Sequence, residues 1–475
     1  MKINPYIFRG YDLRGEVDKD LNPEIVKHLG KVFGTFLKQR SIKKAIISRD
    51  SRLTSPEYSQ AIIKGLNFVG IDAIDIGMEL IGTFYWAQYY LNCQAGVYVT
   101  ASHNPVQYNG FKFAIDFSET LVSDEMQLLR QMAEKDDFEP SQIPGKNEKQ
   151  NIREVYFNDL IKRLPFSKKF KIVIDPSCST AGVIVPDLLR RIGCEVIESN
   201  CNLDPSFPIG TPDPTEITVA ERLKENILRE NADIGFSYDS DADRLGVVDD
   251  KGNIIWNDVL VALFAISVLK EHPGAIIMYN TLCSKIVEET ILKYGGQPFM
   301  WRVGHSFLKK KNQEIKAAFI GELSGHFFFS ADFYNHDDGI YSTLRLLQYL
   351  SQTNQSLSRA VSSLPQYISS PEIKVGCPDE LKVGLIEKIS QKLKIDYPLA
   401  TIIDDERAGD GVRIDEKDSM FVVRYSQNGP YLTIKFEAKT QGKYDELKNY
   451  IRNLLKSYPE IIWQGELGVN VESLL

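Results

Sequence analysis

The chain has 475 residues, 43% of them hydrophobic and 25% charged, and a formal net charge of −8. This length predicts about three to four globular domains, and the acidic balance argues against nucleic acid or an anionic membrane as a general partner. No apolar run reaches membrane-spanning length, and the six cysteines lack metal-ligand spacing. We therefore expect a cytoplasmic protein with reduced thiols.

The first predicted element is a helix that begins at Asn22 and Pro23 and has one apolar face. The residues of that face recur at helical spacing: Ile25, Val26, Leu29, Val32, Phe33, Phe36 and Leu37. This pattern is typical of a helix packed on a core, and we do not expect it to bind a ligand.

A strand–loop–helix–strand unit then occurs three times. Its copies begin with apolar strands at residues 45–47, 172–174 and 275–278, and each helix ends in glycine before the next strand. Such a unit connects parallel strands by a crossover. We expect three consecutive α/β domains with mixed, largely parallel sheets, at residues 1–150, 151–252 and 253–366. Strands near residues 412, 421–424 and 431–436, between two helices, predict a smaller α+β domain at residues 367–475.

The sequence Thr-Ala-Ser-His-Asn-Pro at residues 100–105 follows a strand-like run at residues 96–99. Pro105 prevents a helix from starting at once, so Ser102 is predicted on a tight loop at a sheet edge. A hydroxyl in that position serves as a nucleophile or phosphoryl carrier where cations lie nearby. The alternative is that Ser102 only caps a turn.

Three aspartates alternate after the strand-like run at residues 234–237. In an extended segment, Asp239, Asp241 and Asp243 would project to one side and converge on a hard cation such as Mg²⁺. A calcium EF-hand is excluded, because Arg244 occupies the position of its glycine and a strand-like run follows. Arg244 also indicates an anion beside the metal, whereas a plain acidic surface turn is the alternative.

Two later segments also follow apolar runs and carry several polar groups. The first has a carboxylate, a hydroxyl and an imidazole, which suit polyol recognition and acid–base chemistry: Glu322, Ser324 and His326. The second has a guanidinium, a hydroxyl and two amides, which suit a phosphate dianion: Arg424, Ser426, Gln427 and Asn428.

Together these motifs resemble the α-D-phosphohexomutase family, in its phosphomannomutase/phosphoglucomutase branch. The matching motifs follow the family order at residues 8–15, 100–105, 109–112, 239–244, 304–306, 321–326 and 337–339. The resemblance implies that the four domains surround a central cleft, with ligands at the carboxyl ends of the strands. It also implies that the partners are small-molecule hexose phosphates, while the oligomeric state stays open.

The resemblance implies a phosphoserine mechanism. Ser102 would donate its phosphoryl group to a mannose or glucose phosphate and so form a hexose 1,6-bisphosphate. This bisphosphate, which also serves as the activator, would turn round in the cleft and return its other phosphoryl group to Ser102. Mg²⁺ would be held by Asp239, Asp241, Asp243 and an oxygen on Ser102. The nearby cations would be Arg14, Lys112 and Arg244.

The remaining implied roles concern the proton and the substrate. His326 is the implied acid–base group, with Lys112 and His103 as alternatives. Glu322 and Ser324 would recognise two sugar hydroxyls of either sugar. The other implied substrate contacts are Gly304 and His305, with Arg424, Ser426, Gln427 and Asn428 on the distal phosphate.

The chain departs from the family pattern at several positions, among them Ser240 in place of a glycine and Val303 in place of a threonine. Gln427, Asn428 and Gly429 replace the usual Asn, Thr and Glu, and a segment beginning at Asn280 lacks a usual lysine. Two other interpretations stay open. One is a phosphoglucosamine mutase, which the Phe-Arg-Gly-Tyr-Asp start at residues 8–12 disfavours. The other is a phosphosugar-binding protein with little turnover, which the altered phosphate loop would permit.

Overall fold

The computed structural model describes residues 3–465 and 468–475. These residues form four β-sheets in chain order, each with its own helices. The predicted succession of three α/β units and a final α+β unit is confirmed. The domain limits expected from the sequence stay a prediction.

The first sheet combines parallel strands with an antiparallel edge, in the order β1-β5-β4-β2-β3-β7, with β6 on β5. Its strands are β1 Leu13–Glu16, β2 Lys44–Arg49, β3 Asp72–Met78, β4 Ala95–Val99, β5 Tyr108–Ile115, β6 Glu119–Thr120 and β7 Asn147–Lys149. Its helices are α1 Pro23–Lys38, α2 Ser55–Phe68, α3 Ile81–Tyr90 and α4 Asp124–Glu134. The predicted apolar face of α1 is in the core, with Ile25 partly exposed.

The second and third sheets repeat this design, in the orders β12-β11-β10-β8-β9 and β14-β13-β15-β16. The second unit contains α5 Arg153–Arg163, β8 Lys171–Asp175, α6 Val185–Arg191, β9 Glu195–Glu198, α7 Ile217–Glu230, β10 Ile234–Tyr238, β11 Leu245–Asp249 and β12 Ile254–Ile255. The third contains α8 Asn257–Glu271, β13 Ile276–Asn280, α9 Lys285–Lys293, β14 Gln297–Trp301, α10 His305–Ile315, β15 Phe319–Gly321, β16 Phe327–Phe328, α11 Gly339–Thr353 and α12 Leu357–Ser362.

The three predicted crossovers are present. Strand β2 pairs in parallel with β3, β8 with β9, and β13 with β14. Parallel pairs occupy the centre of each sheet, and antiparallel pairs occur toward one edge. The sheets are therefore mixed as predicted, with a larger antiparallel share than the repeat alone indicated.

The fourth sheet is entirely antiparallel, in the order β17-β22-β21-β20-β19, with β18 also on β22. Its elements are β17 Ile368–Ser369, β18 Ile373–Gly376, α13 Asp379–Asp396, β19 Thr401–Ile403, β20 Gly411–Asp415, β21 Ser419–Tyr425, β22 Tyr431–Ala438 and α14 Gln441–Lys456. The sequence pattern missed the short strands β17, β18 and β19, since few residues carry their periodicity.

The apolar core joins the first three units more closely than the fourth. One buried cluster extends through the first, second and third units and includes only Met420 and Val422 from the fourth. The fourth unit has a core of its own around β21, β22 and α13. Within the described ranges, no helix combines the length and apolar character that crossing a membrane requires.

Candidate active site

The four loops singled out in the sequence lie together at strand ends. They follow β4, β10 and β15, and the fourth connects β21 to β22. The loop with Ser102 contacts the aspartate loop, and that loop contacts the Glu322 loop through a backbone bridge between Arg244 and His326. The fourth loop reaches the first unit, because Asn428 Nδ2 donates a hydrogen bond to Tyr11 Oη at 2.6 Å.

Ser102 has a strained backbone and a well-defined side chain. Its φ is 50°, in the left-handed region that few residues other than glycine adopt. Its amide donates to Thr100 Oγ1 at 2.7 Å, and its Oγ donates to Asp239 Oδ2 at 2.5 Å. His103 Nδ1 lies 3.2 Å from the same Oγ. The hydroxyl therefore faces the aspartate cluster and does not cap its own turn.

Two residues that the sequence analysis missed hold this loop. Arg52, which is buried, donates from Nη2 to the carbonyl oxygens of Ser102 and Asn104, each at 2.6 Å. Its Nη1 donates to Pro105 and Tyr108, each at 3.0 Å. A second residue, Asp50, accepts from Thr100 Oγ1 at 2.8 Å and lies 3.4 Å from Arg52 Nε. Both residues follow β2 at the sheet edge where Ser102 follows β4, and this position in the sequence could have indicated that they contact the Ser102 loop.

The three aspartates converge, although not for the reason expected. They lie in a turn in which Ala242 has a φ of 54°, and not in an extended segment. One oxygen from each of Asp239, Asp241 and Asp243 lies within 4.8 Å of the others. The turn is held by neighbouring helices, since the amide at the start of α3 donates to the Asp241 carbonyl and Gly339 donates to the Ala242 carbonyl.

The chemistry of this cluster fits a hard divalent cation. All three carboxylates are buried, and Asp241 Oδ1 has no hydrogen-bond partner among the described residues. Burial and the charges of Asp243 and Asp241 raise the pKa of Asp239 well above its usual range. Ser102 Oγ adds a further oxygen beside Asp239. Oxygen ligands of this type suit Mg²⁺, which would relieve the mutual repulsion of the carboxylates.

The three predicted cations lie around this cluster with different partners. Lys112 Nζ donates to Asp241 at 2.8 Å and to Asp243 at 2.5 Å. Although burial opposes its charge, these two carboxylates raise the pKa of Lys112 well above its usual range. Arg14 is paired with Asp12 at 2.8 Å and binds the Ser102 loop through the Asn104 side chain at 2.6 Å. Arg244 Nε lies 4.0 Å from Asp239 and is the least engaged of the three.

The Glu322 loop forms a buried network. Glu322 Oε1 accepts from the Gly304 amide at 2.9 Å and from Asn280 Nδ2 at 3.0 Å. Asn280, noted in the sequence only as the replacement of a lysine, therefore orients this carboxylate. Ser324 Oγ lies 2.8 Å from His326 Nδ1. The His305 ring stacks on the His326 ring at 5.0 Å between centroids.

The candidate acid–base groups differ in charge. His326 Nε2 lies 3.3 Å from Asp243 Oδ1, and its Nδ1 lies 3.2 Å from Glu322 Oε2. Burial lowers the pKa of His326, but Asp243 and Glu322 outweigh it and raise the pKa to about 9. Burial, followed by the charge of Arg244, lowers the pKa of His103 well below its usual range. His326 is thus a cation near neutral pH, and His103 is neutral.

Apart from the contact between Asn428 and Tyr11, the side chains of the predicted phosphate loop bind groups of the fourth domain. Arg424 Nε and Nη2 donate to the two oxygens of the buried Asp410 at 2.8 and 2.5 Å. Gln427 Nε2 also donates to Asp410, at 3.3 Å, and Ser426 Oγ accepts from the Asn428 amide at 3.1 Å. The predicted groups lie together, but in this structure Arg424 and Gln427 bind Asp410, and Ser426 binds the Asn428 amide.

Two small cavities lie between these loops. One of about 50 Å³ is lined by residues that include Gly304, Glu322, Ser324, His326 and Arg424. The other, of about 150 Å³, is lined by residues of the Ser102 loop and the fourth domain. Small-molecule sites usually have roughly 300–1,000 Å³, so a hexose bisphosphate requires the cleft to open. A cavity of about 910 Å³ lies elsewhere, against β3 and α2, and contains none of the predicted residues.

Comparison with known proteins gives the same family for most of the chain. Models of the phosphoglucomutase/phosphomannomutase alpha/beta/alpha domains I, II and III match residues 5–140, 154–252 and 256–367. The phosphomannomutase/phosphoglucomutase of Pseudomonas aeruginosa is 37% identical over 451 residues, which are 95% of this chain and 96% of that protein. The phosphoglucomutase of Neisseria gonorrhoeae is 32% identical over 96% of this chain and 98% of its own length.

A solved structure agrees with the sequence relatives. The phosphoglucomutase/phosphomannomutase family protein of Burkholderia thailandensis superposes with a TM-score of 0.85 at 30% identity, covering 96% of this chain and 98% of that one. Sequence and fold thus agree over nearly the whole chain. The chain belongs to the phosphoglucomutase/phosphomannomutase family, as its motifs predicted.

Proposed function

We propose that the protein is a phosphohexomutase that interconverts the 1-phosphate and 6-phosphate of mannose, glucose or both, through a phosphoserine at Ser102 and a hexose 1,6-bisphosphate. The observation that carries this proposal is the contact of Ser102 Oγ with Asp239 Oδ2 at 2.5 Å, in a cleft that also contains His326. This arrangement supports a reaction in which Ser102 is the nucleophile, the aspartates hold a metal and His326 gives a proton to one ligand. The family to which the chain belongs supports the same reaction.

Asp239, Asp241 and Asp243 would hold Mg²⁺ together with an oxygen on Ser102. The ion, when bound, would neutralise charge on the transferring phosphoryl group. Lys112 and Arg244 would add positive charge beside it. Arg14 would act mainly on the Ser102 loop, because its guanidinium already binds Asp12 and Asn104.

When Ser102 carries a free hydroxyl, the next step is transfer from the bisphosphate. The bond between phosphorus and the sugar oxygen breaks, and a bond between phosphorus and Ser102 Oγ forms. The sugar oxygen gains a proton, which the cationic His326 is suited to give. Asp239 would be a ligand of the metal, so the serine proton would pass to His103, which is neutral and has Nδ1 3.2 Å from Ser102 Oγ. The opposite half-reaction reverses these transfers.

Sugar recognition would use Glu322 and Ser324. Both sugars satisfy such a pair, and the names of the Pseudomonas and Neisseria relatives include phosphomannomutase and phosphoglucomutase activities. We place the reaction in the cytoplasm, because all six cysteines are buried without a disulfide, as in a reducing compartment.

The test is a coupled assay with mannose, glucose and glucosamine 1-phosphates, each with a trace of its 1,6-bisphosphate. We expect turnover with the mannose or glucose ester and loss of turnover without Mg²⁺. Faster turnover of the glucosamine ester would make the protein a phosphoglucosamine mutase. Tight binding of all three without turnover would make it a phosphosugar-binding protein.

A further inference from the structure

We infer that Lys374 binds a phosphate group of the sugar phosphate and that Asp213 holds this lysine until the ligand arrives. The inference rests on the proposed function, because it assigns a further ligand contact in the same cleft. Lys374 lies on β18 of the fourth domain, and Asp213 lies on the segment between β9 and α7 of the second. Lys374 Nζ donates to Asp213 Oδ2 at 3.3 Å, and both side chains are buried.

Lys374 lies where the two cavities of the cleft adjoin. It lines the cavity that contains Glu322 and His326. It also lines the cavity next to the Ser102 loop, together with Arg14 and His103. A phosphate that passes between the sugar-recognition loop and the serine loop must therefore pass this ammonium group.

Most of the other cations of these cavities are more firmly engaged, and Arg244, whose Nε lies 4.0 Å from Asp239, is the exception. Arg424 binds both oxygens of Asp410, and Arg14 binds Asp12 while also donating to Asn104. Arg9 donates to Asp379 at 3.0 Å. By contrast, the Lys374 ammonium has one hydrogen-bond acceptor in the described part of the chain, at the long distance of 3.3 Å. The Lys374 ammonium can therefore exchange this carboxylate for a phosphate of higher charge more easily than Arg424, Arg14 or Arg9 can exchange their partners.

The position of the Asp213 carboxylate does not depend on Lys374 alone, because Thr215 also binds it. Its Oδ1 accepts from the Thr215 amide at 3.0 Å and from Thr215 Oγ1 at 2.6 Å. Although burial raises the pKa of Asp213, the charges of Lys374, His103 and Arg244 lower it below its usual range. The carboxylate is thus an anion inside a cationic cleft, and it competes with phosphate for the same lysine.

The pair also links ligand binding to the position of the fourth domain. The C-terminal segment contacts the same part of the second domain, because Asn470 Nδ2 donates to the Thr215 carbonyl and Asn470 Oδ1 accepts from the Ile217 amide. A phosphate that takes Lys374 from Asp213 removes one of the ties between these two domains. Ligand exchange at Lys374 would therefore accompany the opening that the small cavities require.

The test measures the Kd of glucose 1-phosphate by calorimetry in a Ser102→Ala background, where no phosphoryl transfer contributes heat. Lys374→Met should weaken binding about tenfold, the effect of losing a charge-assisted contact. Lys374→Arg should keep most of the affinity. Asp213→Asn should tighten binding, because it removes the competing anion. The same signs are expected with inorganic phosphate as the probe.

If the ion pair between Lys374 and Asp213 were only structural, the two variants would change the Kd in the same direction. Breaking it from either side would loosen the cleft, so Asp213→Asn would weaken binding as Lys374→Met does. That result, or an unchanged Kd in Lys374→Met, would overturn the inference. The sign for Asp213→Asn decides the matter even if Lys374→Met does not fold. If Lys374→Met weakens binding and Asp213→Asn tightens it, but the unmodified protein turns over no hexose phosphate, the mutase proposal is refuted and the inference about Lys374 still holds.

Discussion

His326 Nε2 lies 3.3 Å from Asp243 Oδ1, so the predicted acid–base group contacts a member of the predicted metal cluster. The two residues come from different domains and are joined by the backbone bridge between Arg244 and His326. In the proposed reaction, metal binding and proton transfer would consequently be coupled through one carboxylate. Any change at Asp243 should alter both.

The first prediction concerns the phosphoryl carrier. Ser102→Ala should lower turnover by several orders of magnitude and remove the protein species that is heavier by one phosphate, because no covalent route remains. Intact-mass analysis and the coupled assay measure these effects. Ser177 is a matched control, since it is also buried, has a φ of 51° and follows β8 of the second domain. Near-normal turnover in Ser102→Ala, or equal losses in both variants, would contradict the carrier role.

The second prediction concerns the metal. Asp241→Asn should weaken Mg²⁺ binding and lower turnover, because it removes the charge of a carboxylate whose Oδ1 has no hydrogen-bond partner among the residues that the structure describes. Calorimetric Mg²⁺ titration measures the affinity directly. The control is Asp249→Asn, an equally buried carboxylate that accepts from the Lys251 and Asn253 amides. Full activity after exhaustive chelation would exclude the assignment.

The third prediction concerns Arg52 as a positioning residue. Arg52→Lys keeps the positive charge but removes the guanidinium group, whose Nη1 and Nη2 together bind four carbonyl oxygens of the Ser102 segment. We expect kcat and the rate of Ser102 phosphorylation by glucose 1,6-bisphosphate to fall by about 10–100-fold, with a smaller change in KM. Arg345→Lys, a change at an equally buried arginine in α11, should affect stability alone. If both variants alter only the melting temperature, Arg52 has no positioning role.

The fourth prediction concerns the phosphate loop. Removing a charge-assisted, bidentate contact to phosphate costs roughly 1.5–3 kcal/mol, so Arg424→Ala should raise KM and release more free bisphosphate per turnover. It also leaves the buried Asp410 unpaired, which destabilises the fourth domain. The double variant Arg424→Ala, Asp410→Ala should recover the stability without recovering KM. Recovery of both would assign Arg424 a structural role only.

The fifth prediction concerns the metal-free protein and pH. The pKa of His326 is raised from 6.5 to about 9 in the fold. A raised pKa means that the folded state binds the extra proton, so this stabilisation is complete below pH 6.5 and is lost as the pH rises toward 9. The free energy of unfolding should fall by roughly 3 kcal/mol more than in His326→Gln over that interval. Equal pH dependence of the two proteins would show that His326 is not held as a cation.

Much of the site could be predicted because its signals are local. The apolar runs before Ser102 and Asp239, and the glycine after each crossover helix, specify strand ends within a few residues of the chain. Parallel strands connected by crossovers end at the same edge of a sheet. The sequence alone therefore indicated that the serine, aspartate and Glu322 loops each lie at the ligand-binding edge of a sheet, and the family resemblance implied that these edges share one cleft.

The partners of those residues depended on the tertiary structure. Arg52 binds the carbonyl of a residue 50 positions away, Lys374 binds Asp213 across 161 positions, and both look like ordinary surface charges in the sequence. Burial decides their roles, since a charge removed from water must find a partner, and only the packing of separate domains determines which groups are buried together. The sequence by itself determined which chemical groups stand at the strand ends, whereas the packing of the four domains decided which of these groups hold one another.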